Sequence, residues 1–141
     1  MPENINLHYD INGSDFTIAG QASSNIKKVL KQLGVAPEII RKAAISMYEG
    51  EINTVIHGKG GTADVEIAKD KLTIIFKDNG PGIKDINQAM QEGFSTAPDE
   101  ARELGFGAGM GLPNIKKYSD ELNIISEVGK GTTVEIIIYI P

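Results

Sequence analysis

The sequence predicts an α/β (α+β) two-layer sandwich: a mixed but mostly antiparallel sheet with helices gathered on one face. Three observations carry this expectation. Short segments such as "KLTIIFKD" and "TTVEIIIYI" alternate side chains with a period of two and are rich in β-branched residues. Two consecutive stretches, at about 22–33 and 38–57, repeat apolar residues at helical spacing instead. The resulting order, β-β-α-α-β-β-(α)-loop-α-β-β, sets hairpin-joined strands around grouped helices.

Taken in order, "INLHYDING" and "DFTIAG" read as two strands joined by a turn at Asn12-Gly13-Ser14. A helix is expected from about Ala22 to Leu33, with Gly34 as its stop and Pro37 opening the next. The second helix is expected from about Glu38 to His57: Ile40, Ala44, Met47, Ile52, Val55 and Ile56 recur on it, and Gly58 ends it. "ADVEIAKD" and "KLTIIFKD" form the next two strands, joined near Asp70. Asn79-Gly80-Pro81-Gly82 breaks the pattern, and a short helix is expected at about 85–90. The following stretch, 91–111, lacks a clear element, and a loop of that length in a compact domain is usually functional or mobile. A helix is expected at about 112–119, and "ELNIISEV" with "TTVEIIIYI" closes the chain as a hairpin. The apolar run "VEIIIYI" reads as an edge strand serving either core or interface.

A length of 141 residues suits one domain, 1–141, with one hydrophobic core. A net charge of −5 with no long basic block disfavours nucleic acid and anionic membranes as partners. The absence of cysteine excludes disulfides, thiolate metal sites and cysteine nucleophiles, and fits a reducing cytosol. "MPENINLHYD" has no charged-then-apolar signal pattern, and no apolar run approaches the roughly 20 residues that span a bilayer. A cytoplasmic location is expected. Glycine is the compositional outlier: its 16 residues cluster at 58–61, 80–82, 105–111 and 129–131.

Three clusters carry chemistry. Glu49, Asn53 and His57 lie four residues apart and form one stripe on the second helix. Three polar residues at that spacing more often make a solvated helix edge. Asn53 and Gly50, however, are poor helix formers in one turn, which suggests a demand other than helix stability. A carboxylate and an amide one turn apart suit Mg²⁺, which takes hard oxygen ligands and keeps several waters. In "KDNGPGIKD", Asp78 ends a strand and enters a tight turn, where Gly80 and Gly82 allow close approach of a flat ligand. A carboxylate there can accept from an exocyclic amine such as that of adenine. Asp-Asn-Gly is equally ordinary turn chemistry. In "ELGFGAGMGLPNIKKYSDEL", glycines alternate from Gly105 to Gly111 just before a helix with Pro113 in its first turn. Such a junction is either an anion site by geometry and dipole or a loop with a glycine stop.

Other phosphate and metal motifs are missing. "GKGTT" lacks the spacing of a P-loop, no G-x-G-x-x-G opens within 105–111, and no H-R-D or D-F-G set occurs. Two histidines and no cysteine make a zinc site improbable.

In this order and at these separations, the clusters resemble the motifs of the GHKL ATPase superfamily, built on the Bergerat fold. Its E-x-x-x-N box reads here as Glu49 to Asn53, its D-x-G-x-G box as Asp78 to Gly82, and its glycine-rich lid junction as Gly105 to Gly111. A terminal "GKGTT" also matches, so the resemblance spans essentially the whole chain. The small size and "EGFSTAPDEARELGFGAGMGLPNIKKYSDEL" are similar to the bacterial anti-sigma and switch serine/threonine kinases, which work by partner switching. No phosphoacceptor-histidine helix precedes the domain, which sets a complete histidine kinase aside.

The resemblance implies residue roles. Asp78 would bind the adenine amino group, helped through water by Thr132, with Gly80 and Gly82 beside the base. Asn53 would hold Mg²⁺, and Glu49 would be the general base toward a protein hydroxyl. Gly105, Gly107, Gly109, Met110, Gly111 and Leu112 would line the phosphates, with His57 near them. It also implies ATP as co-substrate, an antagonist protein as partner with a sigma factor or phosphatase beside it, and a homodimer as an open option. Two departures stand out. Gly50 replaces a bulkier residue and is expected to loosen the helix. Arg102 lies three residues before Gly105, where an ion pair with Asp99 or Glu103 competes with a role as phosphate sensor. The expected function is a serine/threonine protein kinase. The alternatives are an ATP-gated module that sequesters a regulator without phosphorylating it, and a stand-alone ATPase unit.

Overall fold

The structure, a computed structural model, describes residues 4–12, 20–56, 60–80, 82 and 111–141. The strands are β1 (Ile5–Asn12), β2 (Gly60–Ile67), β3 (Lys71–Asp78), β4 (Glu121–Glu127) and β5 (Gly131–Tyr139). The helices are α1 (Gln21–Gln32), α2 (Pro37–Ile56) and α3 (Gly111–Tyr118). The second strand expected at 15–20, apart from Gly20, and the short helix expected at 85–90 fall outside the described residues.

The sheet runs β1-β2-β3-β5-β4, and among the described residues every pairing is antiparallel, in agreement with the expected mostly antiparallel sheet. β3 and β4 run parallel to each other, but β5 inserts between them and pairs antiparallel with both. The same insertion corrects the reading of "VEIIIYI" as an edge strand. A nearly continuous apolar run suits a strand paired on both sides, and among the described strands the edges fall to β1 and β4.

Register makes one sheet face the core. Leu7, Val65, Ile74, Ile136 and Leu122 stand in one row across all five strands. Tyr9, Ala63, Phe76, Val134 and Ile124 form the next row. The helices close over this face with Ile26 and Leu30 of α1, Ile40, Ala43 and Met47 of α2, and Leu112 and Ile115 of α3. The opposite face carries Asp64, Glu66, Lys77 and Glu135 among half-buried apolar residues such as Ile75 and Ile137.

Helix α1 has no side-chain cap of its own. Gly20 occupies its N-cap in a left-handed conformation, and its first turn has no acidic residue. Glu51 of α2 supplies the cap instead: its carboxylate accepts from the N–H groups of Ala22 and Ser23, each at 3.2 Å. An anion at a helix N-terminus satisfies orphan donors and complements the dipole. That role explains why a carboxylate only 4% exposed is tolerated here.

Gly50 does not loosen α2, and the expectation is corrected. A Cβ there would stand 2.6 Å from Cζ and 2.7 Å from Cδ2 of Phe76. Its absence lets α2 lie directly on the aromatic ring of β3. The Thr54 hydroxyl donates to the Gly50 carbonyl at 2.8 Å and keeps the helix bonded at this turn. Among the described residues, no helix is long and apolar enough to cross a membrane.

Candidate functional site

Asp78 is the last residue of β3 and shares the core face with Phe76. Its Oδ1 accepts from the Gly80 N–H at 2.9 Å and from the Thr132 N–H at 3.2 Å. Both bonds fall on one oxygen, so among the described residues Oδ2 is left for an outside donor. Thr132 is buried and its hydroxyl lies 2.8 Å from that of Ser126. Gly131 lets the β4–β5 turn reach this aspartate: with φ 122°, a Cβ there would come within 2.9 Å of the Asp78 carbonyl carbon. Gly82, at φ 80°, faces the same turn, and a Cβ would stand 2.8 Å from the Glu127 carbonyl carbon. The two glycine clusters at 80–82 and 129–131 are therefore one packed corner.

The last turn of α2 lies over the same end of the sheet. Val55 and Ile11 line one cavity, Ile11 pairs with Gly61, and Gly61 pairs with Asp78. Glu49 and Asn53 are half-buried on α2. Burial pushes the Glu49 carboxyl above its ordinary range, and a hydrogen bond from the Asn114 side chain offsets part of that rise. Lower on α2, Lys42 Nζ is 3.9 Å from Asp120 Oδ1, just past the end of α3. These two contacts make α2 and α3 antiparallel neighbours. Asn53, one turn beyond Glu49, thus lies level with the start of α3 at Gly111. Leu112, 5% exposed, and Ile115, fully buried, anchor that start in the core.

The structure therefore brings Glu49, Asn53, Asp78, Gly80, Gly82, Gly111, Leu112 and Thr132 to one end of the sandwich. Leu112 arrives as a core side chain, which leaves its backbone for any ligand. His57, Gly105, Gly107, Gly109, Met110 and Arg102 lie outside the described residues. Sequence reading missed Asn114, Glu51 and Gly131. For Asn114 a signal existed: a polar residue one turn into a helix, flanked by the apolar pair Leu112 and Ile115. A cavity of about 340 Å³ lined by His8, Tyr9, Asn25 and Glu51 opens on the other flank of α2 and holds none of the expected site residues. We give the chemistry to the Asp78 end, because the cavity's one buried carboxylate, Glu51, already caps α1.

A helix start at this end of the sandwich offers backbone N–H groups to an anionic ligand. Residues 31–141 match the family described as histidine kinase-, DNA gyrase B-, and HSP90-like ATPase. The chain is 32% identical over 127 residues to the serine/threonine-protein kinase RsbT of Bacillus subtilis (strain 168), covering 87% of each. It is 38% identical over 114 residues to the anti-sigma F factor of Thermoanaerobacter sp. (strain X514), covering 77% of this chain and 76% of the relative. The solved RsbU and RsbW domains of Rv1364c from Mycobacterium tuberculosis superpose with a TM-score of 0.67 at 17% identity, over 96% of this chain and 32% of that one. The SiaB–SiaC complex from Pseudomonas aeruginosa gives 0.62 at 12% identity, over 94% of this chain and 88% of that one. These two likenesses concern the fold. The chain belongs to the GHKL ATPase family and, within it, to the group of bacterial anti-sigma and switch serine/threonine kinases.

Proposed function

We propose that this chain is an ATP-dependent serine/threonine protein kinase that phosphorylates a regulatory antagonist protein in a partner-switching pathway. The observation that carries the reading is the half-buried Glu49, one turn from Asn53, at the end of the sandwich where Asp78 keeps an oxygen for a ligand. The names of the relatives, a serine/threonine-protein kinase and anti-sigma factors, support it.

The residues fit a nucleotide. Asp78 Oδ2 accepts from the adenine amino group, with Gly80 and Gly82 beside the base and Thr132 nearby to hold a water. Backbone N–H groups of Gly105, Gly107, Gly109, Met110, Gly111 and Leu112, with His57 close by, receive the phosphates. Among the described residues no group of three His, Cys, Asp or Glu gathers for a metal. Mg²⁺ needs few protein ligands, and Asn53 would supply one, the rest coming from water and phosphate oxygens. When bound, the ion neutralises phosphate charge. Glu49 takes the proton of the acceptor hydroxyl as its oxygen bonds the γ-phosphorus and the bond to ADP breaks. Burial suits it to this task, because a raised pKa makes a carboxylate a stronger base. The reading includes a single domain, a cytoplasmic location, a sigma factor or phosphatase as further partner, and a homodimer to be tested by light scattering.

The test is calorimetric titration with ATP, with and without Mg²⁺, beside Asp78→Asn, followed by phosphorylation of candidate antagonist proteins from the source organism. Magnesium-dependent binding that Asp78→Asn abolishes, with phosphorylation that Glu49→Gln abolishes while still binding ATP, is the expected result. No binding of ATP by the natural chain sinks the reading. A second reading draws on the anti-sigma F relatives: an ATP-gated module that sequesters a regulator, which capture of a partner without phosphorylation would favour.

A further inference from the structure

We propose that the cavity between β1, α1 and α2 is a second binding site, for a small alkylammonium compound whose charged end meets Glu51. The cavity measures about 340 Å³, at the lower end of the roughly 300–1,000 Å³ of small-ligand pockets. It holds none of the residues assigned to ATP, so the proposal stands apart from the kinase reading. Glu51 lines its wall and is only 4% exposed. Its Oε2 accepts from the Ala22 N–H and its Oε1 from the Ser23 N–H, each at 3.2 Å, beyond the roughly 2.7–2.9 Å of strong charge-assisted bonds. A carboxylate has about four acceptor sites, so about two are left. Among the described residues no Lys, Arg or His pairs with Glu51. A buried charge without a counter-ion is costly, and a ligand cation would reduce that cost.

The lining sets the class of ligand. Anions are disfavoured: among the described residues no lysine or arginine lines the cavity, and Glu51 already occupies the anion position at the start of α1. His8 offers no free positive charge, because Asp64 at 2.6 Å and Asp10 at 3.0 Å take its two ring nitrogens. Ile11, Ala22 and Val55 form buried apolar wall, which suits a short aliphatic stem. The Tyr9 hydroxyl donates to Asn25 Oδ1 at 2.6 Å and braces the rim between β1 and α1. Burial, and then the Glu51 charge, raise the Tyr9 pKa, so that hydroxyl lies within the field of the same carboxylate. A metal ion fits less well, since among the described residues no three His, Cys, Asp or Glu side chains gather as ligands. An ammonium group carries three donors and needs only acceptors around it.

The test is ¹⁵N NMR titration of the full chain, at constant ionic strength and neutral pH, with n-butylamine, n-butanol and butyrate. The three share an apolar body and differ in charge. The amine is expected to shift the amide resonances of Ala22 and Ser23 with millimolar affinity, about tenfold tighter than the alcohol, and butyrate to leave them in place. Glu51→Gln should abolish the preference for the amine, and a preference kept in that variant overturns the proposal. Should Glu51→Gln fail to fold, Asn25→Trp decides. Its large side chain at the exposed rim should weaken amine binding at least about fivefold while the other amide resonances show an unchanged fold. Undiminished amine binding by folded Asn25→Trp overturns the proposal equally. So does any of three results with the natural chain: no shift up to about 50 mM amine, equal affinity for amine and alcohol, or shifts by butyrate as strong as those by the amine.

Discussion

Replacing Gly50 with alanine tests the packing of the site helix, because propensity and structure predict opposite signs. In the middle of an exposed helix the change should stabilise by about 1 kcal/mol. Here the new Cβ would stand 2.6 and 2.7 Å from two ring carbons of Phe76, against the roughly 3.5–4.0 Å of ordinary carbon contact. The ring must retreat by about 1 Å, or α2 must lift by as much. Phe76 is 2% exposed, and its row neighbours Ala63 and Val134 are buried, so no free space receives the ring. An overlap this close belongs in the upper half of the overpacking range, about 2–3 kcal/mol, which leaves a net loss of about 1–2 kcal/mol after the helix gain. At about 4 °C per kcal/mol for a domain of this size, the melting temperature should fall by roughly 4–8 °C. Lifting α2 would also displace Asn53, so ATP affinity should weaken. Urea denaturation of Gly50→Ala, Phe76→Leu and the double variant checks the cause. The double variant should recover at least about 1 kcal/mol relative to additivity, since the leucine vacates the ring's position. A Gly50→Ala protein as stable as the natural chain, or more so, would refute the reasoning.

Three further outcomes are expected. Glu51→Ala should destabilise the fold by about 2 kcal/mol, because it leaves two helix N–H groups without their buried acceptor; Glu51→Gln should recover part of this, and equal losses in both would show that the cap is not what matters. Gly131→Ala should lower stability by about 1–3 kcal/mol through its positive φ and crowding at Asp78, and should weaken ATP binding too; unchanged denaturation midpoints would sink this account. His8 is held by Asp64 at 2.6 Å and Asp10 at 3.0 Å, and these bonds, Asp64 first, raise its pKa above 6.5. The folded state therefore holds the proton more tightly than the unfolded state. The resulting stability is present below pH 6.5 and is lost as pH rises through the folded value. Denaturation midpoints of His8→Gln against pH should lack that decline, and parallel curves for both proteins would count against it.

The sequence determined the local elements and the kinship. Alternation in "KLTIIFKD" and "TTVEIIIYI" and helical spacing in 38–57 are written residue by residue, because one buried face demands a fixed period. The ordered motifs at Glu49–Asn53 and Asp78–Gly82 pointed to the family, and the matches to it agree. Contacts between residues far apart in the chain were another matter. That β5 slips between β3 and β4, and so keeps two parallel strands apart, depends on how the chain returns across the layer. Gly50 looked like a weakness because its partner, Phe76, stands 26 positions away on another element. Nothing in the string marks Glu51 as a cap, because its role exists only once α1 brings it a bare N-terminus. The side chain that offsets the effect of burial on Glu49, Asn114, comes from a helix whose orientation only the packed core fixes. Period and motif are local properties that a linear string can carry. Caps, close approaches and shared hydrogen bonds arise only when separate elements pack against one another.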